Sequence, residues 1–514
     1  MTEKENSKVS QPESDANSQR NKIRLQLLVI SVLSLFLELL IIRWLSTEIR
    51  IFSYFKNLPL LSAFLGLSLG FIWWQKKFDF FKWSGLAVLY LAGLLICAYA
   101  LGLTHLSLMP PTGIVLFGDF EETGSTLTFA KNLAIMILVF ALTAFPFVGM
   151  GQKTGQYFQR LKPLEAYGIN VFGGFLGVLL FSILSFLATS PGVWLIVCGA
   201  LFLLTRRRII YAMIIALGIA YATYLAPFMA PYAFGQEDIK TVWSPYYRID
   251  LRTSVFTDEE MKGKKLGTDV FINYDSFQSM VDTSEASLDQ FSETIKRQIL
   301  DFHGKPFMLR ESKGSRVLVL GAGTGSDVEA ALRNGASHVD AVEIDPEILK
   351  IGKAMHPNKP YSSPKVTTYT MDARTFLKNT TNKYDFIVFG LLDSHAAFSA
   401  MSSLRTDNYI FTKQALEEAY SHLTEDGIIS IAFIAVPDWL WQRQVNNLTA
   451  AVGNKPAGWY KNTKMETGFI AAGPGLSADV KFESPNWVTR DATSDIDTLV
   501  CIDDWPFLFL PNRG

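Results

Sequence analysis

The chain has 514 residues, and its 47 Lys and Arg against 48 Asp and Glu leave a formal charge of −1, no electrostatic footprint for nucleic acid. Cys97 and Cys198 lie in apolar runs and Cys501 in a polar half, which excludes a disulfide framework or a Cys-built metal site; the six scattered His have no metal-ligand spacing. Length alone suggests several domains, and composition separates them at about residue 230, apolar runs before it and ordinary globular sequence after.

Residues 1–22 are polar, rich in Ser, Asn, Gln and Glu, and are expected to form a disordered tail. Residues 23–232 are expected to form a membrane domain of about seven helices, from apolar segments near 24–45, 58–74, 84–108, 130–151, 167–188, 192–205 and 209–230. The first is too long for a signal-peptide core and lacks a cleavage site, so it is an anchor. Small residues one turn apart, Gly66/Gly70 and Gly173/Gly177, predict closely packed helices, hence a bundle. Glu38 lies within the first span, where a carboxylate either meets a partner or wet cavity or reaches the headgroups; Arg43 sits on another helical face. Basic residues mark the N-terminus and alternate loops as cytoplasmic, so seven crossings would leave the polar half outside. Nucleoside chemistry places it in the cytoplasm instead. Both sides of the inner membrane stay open.

Residues 240–285 alternate apolar and polar positions over 241–255 and 269–274 around the turn at 262–265, predicting a small β-hairpin domain. A helix over 288–302 leads into a domain over 286–514. There, strands at 316–320, 338–342, 365–369, 385–389 and 427–435 alternate with helical patterns, the signature of a doubly wound parallel α/β sheet.

The most informative stretch is 316–325. A buried apolar strand ends in Gly321-Ala322-Gly323-Thr324-Gly325, a helix opens at Ser326, and a second strand ends in Glu343. Glycines let backbone approach a ligand, and an acid about 20 residues on can accept both ribose hydroxyls. The spacing G-x-G-x-G without a phosphate-gripping Lys-Ser/Thr favours a nucleoside lacking pyrophosphate. S-adenosylmethionine or its decarboxylated form fits that description.

These residues, with Trp243-Ser244-Pro245-Tyr246-Tyr247, Val342-Glu343-Ile344-Asp345-Pro346, Met371-Asp372-Ala373-Arg374, Tyr384-Asp385-Phe386-Ile387-Val388 and Asp503-Asp504-Trp505-Pro506-Phe507, resemble the polyamine aminopropyltransferases (spermidine synthases), in their membrane-fused bacterial branch. The resemblance spans about residues 160–510 and implies a class I S-adenosylmethionine methyltransferase-like fold. It implies that Glu343 holds the ribose, that Asp372 and the Ala373 backbone hold adenine, that Gly321 and Gly323 admit the amino-acid or aminopropyl arm, and that Gly325 belongs to the same nucleoside-binding turn. Tyr247, Gln278, Asp327 and His395 would then line the substrate side. For Asp372, a plain helix-capping aspartate is the alternative.

The chain also departs from that family's pattern. Thr324 stands where an amine-gripping aspartate is usual, Tyr247 where a glutamine is usual, and no Tyr-His-Glu segment appears near Phe291-Ser292-Glu293. The strand that normally ends in a catalytic aspartate ends at Gly390, and Asp393 is the nearest acid after it. Asp393 is therefore the expected base, with His395 as a partner and Asp327 as a replacement for the lost loop acid. The leading expectation is a membrane-anchored aminopropyltransferase acting on a small-molecule amine. Its co-substrate would be decarboxylated S-adenosylmethionine or S-adenosylmethionine, with no tightly bound cofactor, no metal and no nucleic-acid partner; the bilayer is a partner and a homo-oligomer is open. The alternatives are a methyltransferase on the same nucleoside site and a non-catalytic membrane sensor.

Overall fold

The apolar half of the chain folds into helices because little else satisfies backbone N–H and C=O groups in such sequence. The structure is a computed structural model and describes residues 11–55, 57–104, 106, 126–206, 208–234, 238–254, 263–264, 266–392, 406–434, 438–461, 467–477, 480, 484, 487–490 and 496–508. It divides into two units, Met1–Glu237 with Thr241–Tyr247, and Asp238–Lys240 with Arg248–Gly514.

The first unit contains α1 (Gln11–Glu48), α2 (Arg50–Tyr54), α3 (Asn57–Ile72), α4 (Phe81–Ile96), α5 (Thr126–Phe158), α6 (Pro163–Phe186), α7 (Pro191–Thr205), α8 (Ile209–Ala220) and, after a π-helical turn at Tyr221–Leu225, α9 (Ala226–Phe234). Helix α1 starts at Gln11, so part of the expected loose tail is helical. Four segments, Asn17–Glu48, Thr126–Phe158, Pro163–Phe186 and Ile209–Met229, are long and apolar enough to cross a membrane. The runs at 58–74, 84–108 and 192–205 give shorter helices; α4 stops at Ile96, well before residue 108. At 16 residues α3 and α4 each rise only about 24 Å.

Small residues bring the helices together as expected. A β-carbon at Gly70 would lie 2.0 Å from the Val148 carbonyl oxygen, and one at Gly177 would lie 2.4 Å from that of Val32. These contacts seat α3 on α5 and α6 on α1. Phe36, Trp44, Phe147 and Trp194 fill the interior. Gln152, fully buried, accepts from Phe80 N at 2.9 Å and donates to Phe78 O at 2.8 Å, pinning the connection between α3 and α4 to α5. Arg43 lies over the Trp194 ring, 4.8 Å from its centroid, and donates to Ser185 Oγ and Ser244 O. Glu38 is buried, 7% exposed.

A strand β1 (Ile239–Trp243) runs across the sequence boundary between the units. The second unit continues with β2 (Arg248–Thr253), β3 (Gly267–Ile272) and β4 (Asp275–Val281), paired antiparallel in that order. Asn273 and Tyr274, expected to extend a strand, instead make its two-residue turn with φ of +50° and +69°. The Arg248 guanidinium, 4.2 Å from the Tyr274 ring centroid, holds that turn down. There follow α10 (Glu285–Leu288), α11 (Glu293–Gly304), β5 (Arg316–Leu320), α12 (Ser326–Arg333), β6 (His338–Glu343), α13 (Pro346–Met355), β7 (Val366–Thr370), α14 (Ala373–Asn379), β8 (Tyr384–Phe389), α15 (Lys413–Ser421), β9 (Leu423–Ile434), α16 (Asp438–Val452), β10 (Ala457–Lys461), β11 (Thr467–Ala472) and β12 (Trp487–Thr489).

These strands form one sheet in the order β7-β6-β5-β8-β9-β11-β10-β12. Strands β5 to β9 are parallel, as expected for a doubly wound fold, but β11 runs antiparallel to β9 and β10 to both β11 and β12. The sheet is therefore mixed, not wholly parallel. Alternate residues of each strand face opposite ways, so Leu318 and Ile387 enter one core and Val317, Val319 and Phe386 the other. Strand order reverses between β5 and β8, and the carboxyl ends of these two strands open the crevice in which ligands of such sheets bind.

Candidate nucleoside and acceptor site

The turn after β5 needs glycine at three positions, with φ of +71° at Gly321, +55° at Gly323 and +107° at Gly325. It is held from beneath and above. Gly321 N and Ala322 N both donate to Val342 O at 2.9 Å, and Tyr361 Oη donates to Gly323 O at 2.8 Å. Glu343, the last residue of β6, closes the arrangement. Its Oε2 accepts from Gly323 N at 2.8 Å and its Oε1 from Asp345 N at 2.9 Å. Burial pushes this carboxyl up to about 7, against the pull of those backbone N–H groups.

At the end of β7, Asp372 caps α14, its Oδ1 accepting from Thr375 N at 2.9 Å. The capping alternative thus describes its local bonding. Met371 N donates to Glu343 O at 3.2 Å, so Asp372 and Ala373 follow directly on the strand end beside Glu343.

On the other side of the glycine turn lies a cavity of about 450 Å³, lined among others by Gln278, His303, Gly321, Gly323, Asp327 and His356. Gln278 reaches it from β4 and lies so close to the turn that a β-carbon at Gly323 would stand 2.7 Å from its Nε2. Its Oε1 accepts from Thr324 N at 3.4 Å, and its buried Nε2 has no hydrogen-bond partner among the described residues. His356, at the end of α13, accepts from Asn358 N on Nδ1 at 3.3 Å, which places its proton on a buried Nε2 that likewise has no partner there. Burial lowers its pKa to about 4, so it is neutral.

Asp327, in the first turn of α12, bonds His303 of α11, Oδ1 to Nδ1, at 2.8 Å. Burial alone would raise this carboxyl, but the His303 charge and hydrogen bond and the Lys305 charge outweigh it and hold it below the usual range. The structure therefore brings Gln278 and Asp327 to one cavity, alongside His303 and His356, which sequence reasoning missed. His303 ends an amphipathic helix, and nothing in its spacing from Asp327 announces the pair. Tyr247 falls in the first unit, its N–H accepted by Ser244 Oγ at 2.8 Å. Asp393 and His395 lie outside the described residues. The segment leading to them does fold over the turn, because a β-carbon at Gly321 would meet Leu392 Cδ2 at 2.0 Å.

A family model described as the spermine/spermidine synthase domain matches residues 303–452. Polyamine aminopropyltransferase 2 of Hyperthermus butylicus is 32% identical over 109 residues, covering 19% of this chain and 36% of that protein. The polyamine aminopropyltransferase of Alkaliphilus oremlandii is 28% identical over 186 residues, covering 35% and 61% respectively. The chain thus spans less than two thirds of the length of these relatives. Among solved structures, spermidine synthase from Thermotoga maritima aligns with a TM-score of 0.35 at 14% identity, over 47% of this chain and 74% of that one. Residues 303–452 are thus similar to the spermine/spermidine synthase domain.

Proposed function

We propose that the protein is a membrane-anchored aminopropyltransferase, moving the aminopropyl group of decarboxylated S-adenosylmethionine to a small-molecule amine. The observation that carries this reading is the coincidence of the family match over 303–452 with the tied glycine turn and Glu343. Glu343 accepts the ribose hydroxyls, Asp372 and Ala373 meet the adenine, and the glycine turn lets the arm pass toward the cavity. A neutral amine attacks the carbon beside the sulfonium; the C–S bond breaks, its electrons return to sulfur, and methylthioadenosine leaves. The sulfonium is already a good leaving group, so the protein's task is to orient the partners and take up one proton. The apolar helices of the first unit support anchoring in the inner membrane, and the nucleoside co-substrate supports a cytoplasmic second unit.

The test is incubation of the purified full chain in detergent with each nucleoside and a panel of amines, with mass spectrometry of the products. Methylthioadenosine with an aminopropylated amine is the expected result. Methylated product from S-adenosylmethionine would make it a methyltransferase. Binding of nucleoside without any product would favour the sensor.

A further inference from the structure

Gly390, at the end of β8, carries no side chain, yet the space there is filled. A β-carbon at that position would lie 3.1 Å from Asp327 Oδ2 and 3.0 Å from Gly321 O. Asp327 therefore presents its free oxygen at the strand end, beside the glycine turn, where ligands of open α/β sheets react. His303 binds the other oxygen.

The cavity around this pair is selective in its charge. Its second carboxylate, Glu329, is already engaged by Arg333 Nε at 3.1 Å and by the Thr283 hydroxyl at 2.7 Å. Lys305 adds a positive charge to the wall, with its Nζ 5.0 Å from the Phe302 ring centroid. Ile295, Ile299, Phe389, Leu391 and Phe469 make much of the rest. Among the described residues one carboxylate remains for a cation, and a second ammonium would face Lys305 without a counter-charge among them. Burying a charge without a partner is strongly unfavourable.

We infer that this cavity is an acceptor subsite for a singly charged amine with an apolar body, whose ammonium is held and deprotonated at Asp327 with His303 as its positioning residue. The inference rests on the aminopropyltransferase reading for the identity of the donor, an aminopropyl sulfonium nucleoside. The amine nitrogen forms the new C–N bond, the C–S electrons go to sulfur, and the nitrogen's proton passes to the Asp327 carboxylate. The groups facing this carboxylate are His303 and Lys305, with Tyr361 beside the turn and His356 beyond His303.

The experiment uses the full chain, and compares alkyl- and arylalkyl-monoamines with diamines of equal length. Monoamines are expected to exceed diamines at least tenfold in kcat/KM. Asp327→Asn is expected to lose about 10²-fold or more in kcat, the usual worth of a general base, with methylthioadenosine affinity unchanged. Moving the acid across the gap, in Asp327→Ala/Gly390→Asp, should restore part of that loss. His303→Gln should move the acid limb of the kcat profile to higher pH, because burial then acts on Asp327 unopposed by the imidazole. Turnover in Asp327→Asn within threefold of the natural protein, or a tenfold preference for diamines, overturns the subsite while leaving the transferase. If no amine is converted at all, the transferase reading falls, and calorimetry of monoamine binding to the methylthioadenosine-loaded protein decides the subsite: weakened binding in Asp327→Asn upholds it, equal binding overturns it.

Discussion

Gly323 donates its backbone N–H to Glu343 Oε2 at 2.8 Å, tying the turn after β5 to the last residue of β6. The carboxylate proposed to accept the ribose and the glycine turn are thus one device. Glu343→Ala should therefore weaken methylthioadenosine binding by about 1.5–3 kcal/mol, the usual loss for a hydrogen bond to a charged group. Calorimetry on the folded variant checks this, and an unchanged affinity would remove Glu343 from the ribose site.

The raised pKa of Glu343 makes that binding depend on pH. A protonated carboxyl offers one fewer acceptor to two hydroxyl donors, so affinity should climb as pH passes upward through about 7 and level off above it. Stability of the ligand-free form runs the other way. Between the ordinary glutamate value of 4.5 and about 7 the folded state keeps a proton that the unfolded state has lost, so stability falls as pH rises across that window. The total is on the order of 3 kcal/mol. Glu343→Gln lacks this titration. The difference in Tm between the natural protein and the variant should shrink or reverse from pH 5 to pH 8, and a constant difference would show that the carboxyl is not held protonated.

The strands that frame this site were legible because they obey simple periodicities. Residues 316–320 and 338–343 are short apolar runs closed by glycine or acid, and their parallel pairing follows from the helix between them. The antiparallel edge was not, since strand direction leaves no mark on composition. Nor was the turn at Asn273 and Tyr274, where a tyrosine takes a conformation that usually calls for glycine and is compensated by Arg248 from another strand. The pairing of His303 with Asp327 joins two helices across 24 residues, and side-chain meetings of that kind have no sequence signature.

Chemistry and charge count disagree on the side of the membrane, and the helix lengths bear on this. The apolar runs give four segments long enough to cross and three shorter ones, so the count of seven crossings on which the external placement rests is not required by length. A reporter fused after Gly514 is expected to report the cytoplasm: a fluorescent protein should glow and alkaline phosphatase should be silent. Active phosphatase at that point would place the second unit outside and shift weight to the sensor.

Glycine packing in the first unit yields a controlled comparison. At Gly177 a β-carbon would stand 2.4 Å from Val32 O and 3.1 Å from Phe36 N, both backbone atoms that cannot swing aside. At Gly168, nine residues earlier on the same helix α6, a β-carbon would meet nothing within 4 Å. Gly177→Ala must therefore push α6 away from α1, and overpacking of this kind typically costs about 1–3 kcal/mol. Gly168→Ala meets no such barrier and should gain up to about 1 kcal/mol from helix propensity. Thermal melts in detergent should accordingly show Tm lowered in the first variant and unchanged or raised in the second. Equal melting of the two would mean that α1 and α6 do not pack through this face.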